Sequence, residues 1–474
     1  MRTTKIVATL GPSSDTNEIV AKLLDAGVDI FRLNASHGTQ EDHALRIARI
    51  REVSGLMNRS VGILVDLQGP KIRLGTFEEG KVRLETGDAF VITTDTSVIG
   101  NKDRASTGYK NFASDLQPGD RVLLADGTVE LRVIKTDGES VMHEVVSGGW
   151  IGNNKGINLP GVNVSAPSLT RKDMSDLGFF ITQDIDFIAL SFVRKPADLV
   201  RLRLYLEEKE KQIPIIAKIE KPEAWEQLTE ILMETDGVMV ARGDLGVEMA
   251  LEKVPFIQKS IIERARQHGK FVITATQMLE SMIESPVPTR AEVSDIANAI
   301  YDGTDAVMLS AETGAGKYPV ESVKMMARIA TEAEASLRHQ GFKEIPLSSK
   351  PSIAEMIADS AYHTARTASV SAIIVFTSTG STARLIARYR PPVPIYAFTG
   401  SAAIARQLSP IFGVRPLVAP MVTSTDEMLA QMDRMLLDRG WLKIRDLVVM
   451  VAGQPIGRAG TTNLMKLHRI GELR

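Results

Sequence analysis

The chain has 474 residues, of which 44% are apolar and 24% charged, with a formal net charge of −2. This is room for roughly two to four domains and is unlike a general nucleic-acid or anionic-membrane binder. It contains no cysteine, which excludes disulfides, thiolate zinc sites, iron–sulfur clusters and cysteine nucleophiles. Neither a signal-peptide pattern nor a run of about 18 apolar residues occurs, so no membrane span is expected and the cytoplasm is the expected location.

In chain order, short β-branched runs alternate with helical patterns. "TKIVATLG" (4–11) precedes a helix opened by the Ser-Ser-Asp caps at 13–15, and "DIFRLNAS" (29–36) precedes the helical "QEDHALRIARIREVSGLM". "VGILVDL" (61–67) is a third strand. The alternation resumes with "DFIALSF" (186–192), "IPIIAKIE" (213–220), "GVMVAR" (237–242), "KFVITAT" (270–276) and "AVMLSAE" (306–312), each followed by a helical pattern. Eight strand–helix units predict an α/β fold, a (β/α)8 TIM barrel over residues 1–70 and 168–340. An open doubly wound sheet competes, but no GxGxxG turn follows the first strand.

The interval 71–167 has a different texture. "KVRLETGDAFVITTD", "GDRVLLADGTVELRVIKTDG" and "ESVMHEVVSGG" alternate apolar and polar residues and are cut by Gly-Asp and Asp-Gly turns. This predicts an inserted antiparallel β-barrel domain. Inserted at the C-terminal end of a barrel strand, it is placed to act as a lid over the face where barrel active sites form. "GFKEIPLSSKPS" reads as a linker. "SAIIVFTSTG", "VPIYAFTG", "VRPLVAP" and "DLVVMVAG" then alternate with helices, predicting a C-terminal open α/β domain over 341–474.

Polar residues cluster where the apolar strand runs end. They are Arg32, Asn34, Ser36, Asp66, Lys71 and Arg73, then Lys218, Glu220, Arg242, Asp244, Thr276, Ser310 and Glu312. One such residue needs no explanation beyond a strand end meeting solvent; a dozen of both signs suggests a pocket. Glu220 and Asp244 come from adjacent strands, and two carboxylates without cysteine or clustered histidine suit a hard cation such as magnesium. The alternative is a pair of surface carboxylates compensated by Lys218 and Arg242. Arg32 and Arg73 suggest a phosphate clamp. Lys218, two residues before Glu220, lies on the same side of its strand and suits a phosphoryl group in transfer; the alternative is a structural Lys–Glu pair. In "RGDLGVE", Gly243 and Asp244 suggest the start of a short helix whose free N–H groups bind a carboxylate, with Thr276 adding a hydroxyl. These residues describe a magnesium-dependent enzyme acting on a small phosphorylated anion beneath a lid.

The motifs "TKIVATLGPSS", "FRLNASHG", "DLQGPKIR", "AKIEKPEA", "MVARGDLGVE", "TATQMLESM", "PTRAEVSDIANAIYDGTDAVMLSAET" and a late "TTN" resemble those of the pyruvate kinase family, in order and over essentially the whole chain. The resemblance implies phosphoryl transfer from phosphoenolpyruvate to ADP, giving pyruvate and ATP in glycolysis. It implies that Glu220 and Asp244 hold Mg2+, with Mn2+ as a substitute, and that Lys218 and Arg32 contact the phosphoryl group with support from Arg73. Gly243, Asp244 and Thr276 would hold the substrate carboxylate, and Thr276 and Ser310 would lie near the proton route to C3. Pro12, His37 and Lys155, with Arg32, match positions of the nucleotide site. A homotetramer is implied as well, with neither nucleic acid nor membrane as partner.

Many family members carry Asp-Thr-Lys-Gly-Pro-Glu where this chain has Asp-Leu-Gln-Gly-Pro-Lys. Those members use a monovalent cation whose ligands correspond to Asn34, Ser36, Asp66 and the backbone of Leu67. Lys71 puts a tethered ammonium where they have glutamate, so the expectation is a branch that needs no K+. In "FTSTGSTARLIARYRP", Thr377, Ser378, Thr379, Ser381 and Thr382 correspond to a region that binds a phosphorylated allosteric effector, here expected to be a sugar monophosphate or a nucleotide. The segment "GQPIGRAGTTN" is a candidate for completing that pocket. A magnesium-dependent barrel lyase or aldolase is the competing enzyme, separable by its indifference to ADP. A metabolite sensor without catalysis is the other alternative, against which Lys218, Glu220, Asp244 and Thr276 speak.

Overall fold

The computed structural model describes residues 2–420, 422–456, 458 and 460–472, without the side chains of 338–340. Its centre is a closed barrel of eight strands, Lys5–Thr9, Ile30–Asn34, Gly62–Asp66, Phe187–Leu190, Ile215–Ile219, Gly237–Ala241, Phe271–Ala275 and Ala306–Leu309. Every neighbouring pair is parallel, and the first strand closes on the last with Val7 opposite Met308. These segments are almost uninterrupted apolar runs because parallel barrel strands are covered on both faces, by helices outside and by packed side chains inside. Ile30, Leu64, Phe187, Ile216, Met239 and Phe271 fill the interior together with Val7 and Met308.

The helices start at side-chain caps. Thr39, Thr170, Thr289 and Ser352 each form a reciprocal capping box with an acidic residue three positions on, satisfying otherwise orphaned N–H groups. The first helix corrects the sequence expectation. It runs Asn17–Ala26 and is capped by Thr16, not by the Ser-Ser-Asp triplet. Two of those side chains are engaged elsewhere, Ser14 with Gly11 and Asp15 with Arg46 and Arg49.

The chain leaves the barrel after Asp66 and builds a β-rich domain. A six-stranded sheet and a two-stranded ribbon enclose a separate core that includes Phe90, Phe112, Leu131 and Val145. Its ladders are antiparallel except that Ala89–Thr93 pairs in parallel with Arg104–Ser106. The C-terminal domain is a five-stranded sheet. Its last strand, Thr462–Arg469, is antiparallel to Leu447–Gly453 and was not anticipated, because its exposed edge carries too mixed a pattern.

That domain packs on the end of the barrel where the strands begin, leaving the opposite mouth to the inserted domain. Arg390 donates to Asp305 at 2.9 Å with both side chains buried, Arg406 pairs with Asp186 at 2.7 Å, and Lys5 donates to the Val414 carbonyl at 2.6 Å. Among the described residues no helix is long and apolar enough to cross a membrane.

Candidate functional site

Asp66, Lys218 and Glu220 stand at the ends of the third and fifth barrel strands, where the apolar run stops but the neighbouring strands still exclude water. Lys218 Nζ lies 2.8 Å from Glu220 Oε1 and 3.2 Å from Asp66 Oδ1, and it donates to Ser191 Oγ at 2.7 Å. Arg32 approaches the other Asp66 oxygen through two nitrogens, at 2.8 and 2.7 Å, and donates to Thr9 Oγ1 at 3.1 Å. Sequence reasoning passed over Ser191 and Thr9. Both follow the rule that found the others, a polar residue at a strand end, but a lone hydroxyl is a weak signal.

The electrostatics follow from burial. Burial opposes the charge on Lys218, but Asp66 and Glu220 outweigh it and hold the ammonium above the ordinary lysine value. Burial likewise works against the Asp66 carboxylate, and Lys218 and Arg32 together hold it below the usual carboxyl value. Glu220 goes the other way: burial, opposed by Lys218 and reinforced by the negative charge of Asp244, pushes its carboxyl up. Glu220 and Asp244 thus feel each other across adjacent strand ends. Glu220 Oε2 accepts the Phe192 amide at 2.8 Å. Among the described residues Asp244 forms no ion pair.

Gly243 and Asp244 lie in the first turn of a short helix, Arg242–Glu248, as the sequence suggests. The Gly243 amide donates to Thr276 Oγ1 at 2.7 Å, bringing these two residues together. Thr276 holds φ at +68°, a costly conformation for a β-branched residue and one that clusters at functional sites. Arg242 turns away from the mouth, donating to the Thr276 carbonyl and pairing with Asp295, each at 2.6 Å. It is a brace for this turn rather than a cation facing Asp244. The Ser310 amide donates to Glu312 Oε2 at 2.6 Å, and burial pushes the Glu312 carboxyl up.

A second group lines the entrance. Partial burial and then the charges of Arg73, Arg32, Lys71 and Lys172 hold the His37 imidazole below its usual value. These four cations therefore all act on one exposed histidine. Arg73 donates to the Asn154 carbonyl at 3.1 Å. Pro12 and Lys155 are exposed, and the Lys155 carbonyl accepts the Leu74 amide at 2.8 Å. Asn34 Oδ1 accepts the Ser36 amide at 3.1 Å, and the Leu67 carbonyl accepts from Ser191 at 2.7 Å. Lys71 is exposed and lines a cleft between inserted domain and barrel, shared with Asp244, Lys221 and Glu248.

Far from this mouth, Thr377, Ser378, Thr379, Ser381 and Thr382 line a pocket in the C-terminal domain, with Arg458 and Thr461 on its other wall. Thr377 Oγ1 accepts the Gly380 amide at 2.9 Å, and Thr382 is buried against Thr462, with their hydroxyls 2.6 Å apart. Part of the "GQPIGRAGTTN" segment, residues 457 and 459, lies outside the described residues.

Comparison with known proteins agrees with this layout. A family model for the pyruvate kinase barrel domain matches residues 1–323, and one for the pyruvate kinase alpha/beta domain matches 355–468. A pyruvate kinase of Mycobacterium intracellulare is 46% identical over 469 residues, covering 99% of this chain and 98% of that protein. One of Bacillus licheniformis is 46% identical over 479 residues, covering 100% of this chain and 81% of that protein. The crystal structure of a pyruvate kinase from Cryptosporidium parvum superposes with a TM-score of 0.92 at 37% identity, covering 99% of this chain and 96% of that one. Two domain models in chain order, relatives matched from end to end and a shared three-part architecture around one polar barrel mouth agree: the chain belongs to the pyruvate kinase family.

Proposed function

We propose that the barrel mouth transfers the phosphoryl group of phosphoenolpyruvate to ADP, with Lys218 and Arg32 as the cations on the phosphoryl group and Arg73 as their support from the inserted domain. The observation that carries this reading is the buried cluster in which Lys218 joins Asp66 to Glu220 while Arg32 grips Asp66 from the other side. Two fixed cations are preorganised there by carboxylates and need no reorganisation when phosphate charge arrives.

The donor set suits Mg2+. Glu220 and Asp244 are hard oxygen donors, Asp244 has no cation paired to it among the described residues, and the chain has no cysteine. A magnesium ion takes one or two carboxylates and completes its octahedron with water and substrate oxygens. When bound, the metal supplies charge neutralisation on the phosphate and enolate oxygens. Glu220 and Asp244 would hold it; the turn at Gly243, Asp244 and Thr276 would orient the substrate carboxylate, and Thr276 and Ser310 would line the route by which a proton reaches C3. Pro12, Arg32, His37 and Lys155 form the nucleotide subsite, where the cations around His37 favour a polyphosphate.

Lys71 replaces the monovalent cation otherwise held by Asn34, Ser36, Asp66 and Leu67, a reading supported by its charge at the hinge beside the mouth. The cavity lined by Thr377, Ser378, Thr379, Ser381 and Thr382 takes a phosphorylated sugar or nucleotide as allosteric effector, supported by its hydroxyl-rich wall and Arg458. The family resemblance supports a homotetramer in the cytoplasm. Pyruvate formation, followed while ADP, Mg2+, K+ and sugar phosphates are varied in turn, tests these assignments. Turnover without ADP would overturn the proposed reaction.

A further inference from the structure

Glu248 is a buried carboxylate outside the cluster described above. It ends the short helix that begins with Arg242 and carries Asp244 in its first turn. Its side chain is 2% exposed, and Oε1 lies 2.7 Å from Lys221 Nζ. The same oxygen accepts from Asn158 Nδ2 at 2.9 Å. Oε2 is buried without a hydrogen-bond partner among the described residues.

The three residues come from three separate segments of the chain. Lys221 directly follows Glu220 and immediately precedes the helix Pro222–Glu226. Its ammonium also lies 5.9 Å from the Phe192 ring, and the Phe192 amide donates to Glu220. Asn158 belongs to the inserted domain, on the strand Ile157–Asn158 paired with Arg121–Leu124. Glu248 therefore ties the segment after Glu220 to the helix that carries Asp244, and ties both to the inserted domain. All three side chains line the cleft that contains Asp244.

We propose that Glu248 is a positioning residue: through Lys221 it sets the separation of Glu220 and Asp244, and through Asn158 it couples that separation to the posture of the lid. The inference rests on Glu220 and Asp244 as the metal-holding pair. A buried carboxylate with one hydrogen-bonded oxygen and one bare oxygen is a poor purchase for stability, so its place between two metal-carrying segments and a lid strand points to geometry rather than to folding. Groups hydrogen-bonded to a metal ligand characteristically change metal affinity by about 10- to 100-fold; Glu248 acts one contact further out, through Lys221 and the helix it shares with Asp244, which places its effect at the lower end of that range.

The experiment measures Mn2+ binding to the full chain without substrates, from the paramagnetic resonance signal of free Mn2+, alongside steady-state constants and thermal melts. Glu248→Gln and Lys221→Met are expected to weaken Mn2+ binding about tenfold. Asn158→Ala is expected to leave Mn2+ affinity within about twofold but to raise KM for ADP about tenfold, because it releases only the lid. If Glu248→Gln does not fold, Glu248→Asp, which keeps the charge but withdraws it, is expected to show a smaller loss. Wild-type Mn2+ affinity in folded Glu248 and Lys221 variants overturns the inference. So does an Asn158→Ala protein that loses Mn2+ as severely as Glu248→Gln. Glu220→Gln is the control: if it binds Mn2+ as the wild type does, the metal assignment itself fails instead.

Discussion

Lys218→Met isolates one ammonium, since methionine keeps much of the lysine side chain's length and apolar volume. Nζ now lies 2.8 Å from Glu220 and 3.2 Å from Asp66, so a phosphoryl oxygen entering the mouth meets it at similar or slightly longer range. A unit charge about 4 Å away at an effective dielectric near 20 contributes about 4 kcal/mol. At about 1.4 kcal/mol per decade, kcat should fall about 10³-fold. The fold should survive, because Asp66 keeps its contacts with Arg32 and Glu220 keeps the Phe192 amide. The pH profile should move as well. Glu220 is already pushed up by burial and by Asp244, with Lys218 opposing. Removing the opposing charge raises it further, so Glu220 takes up its proton at higher pH and the acidic limb of the activity profile shifts to higher pH. Pyruvate formation across pH and a thermal melt measure both effects. A folded variant with kcat within about tenfold of wild type would refute the role given to Lys218, and an acidic limb shifted to lower pH would refute its coupling to Glu220.

Arg390→Met should strand the Asp305 carboxylate between the Val272 and Phe412 amides, each 3.0 Å away, and cost roughly 3–5 kcal/mol at the junction of barrel and C-terminal domain; an unchanged calorimetric trace would contradict this. The wild type should turn over in buffer free of K+ and Na+, and Lys71→Glu should make it K+-dependent, whereas strong K+ activation of the wild type would sink the replacement argument. Ser381→Glu should remove any shift that sugar monophosphates produce in KM for phosphoenolpyruvate, and persistence of the shift would move the effector elsewhere. The Asp66 carboxyl is held below its unfolded value, so its contribution to stability is present above that unfolded value and is lost as pH falls through the folded one. Asp66→Asn should therefore flatten the acid limb of the stability curve, measured by urea unfolding at several pH values.

The barrel could be read from the sequence because strands covered on both faces become short apolar runs, and the mouth because each run stops at a charged or hydroxylic residue. Strand ends alone do not say which charges face each other. Arg242 and Asp244 are two positions apart, yet Arg242 braces the Thr276 turn through Asp295 and the Thr276 carbonyl, leaving Asp244 without a cation of its own. The Asn158–Glu248 contact joins residues 90 positions apart, and no local pattern marks it. The antiparallel strand Thr462–Arg469 was missed for a related reason: an exposed sheet edge carries little periodic signal.

Coordinates also rank carboxylates that look equivalent on paper. Asp66 and Glu220 both end apolar strands, but each Asp66 oxygen already meets a fixed cation, Lys218 on one side and Arg32 on the other. Among the described residues Glu220 pairs with Lys218 alone, and it is pushed up by burial and by its neighbour Asp244. Asp66 thus fixes Lys218 and Arg32 in place, while the negative charge not offset in this way lies on the Glu220–Asp244 side. A third permanent cation at Lys71 does not compete for Asp66, which is saturated. It adds positive potential where the inserted domain joins the barrel, without drawing on the Glu220–Asp244 pair proposed to hold the metal.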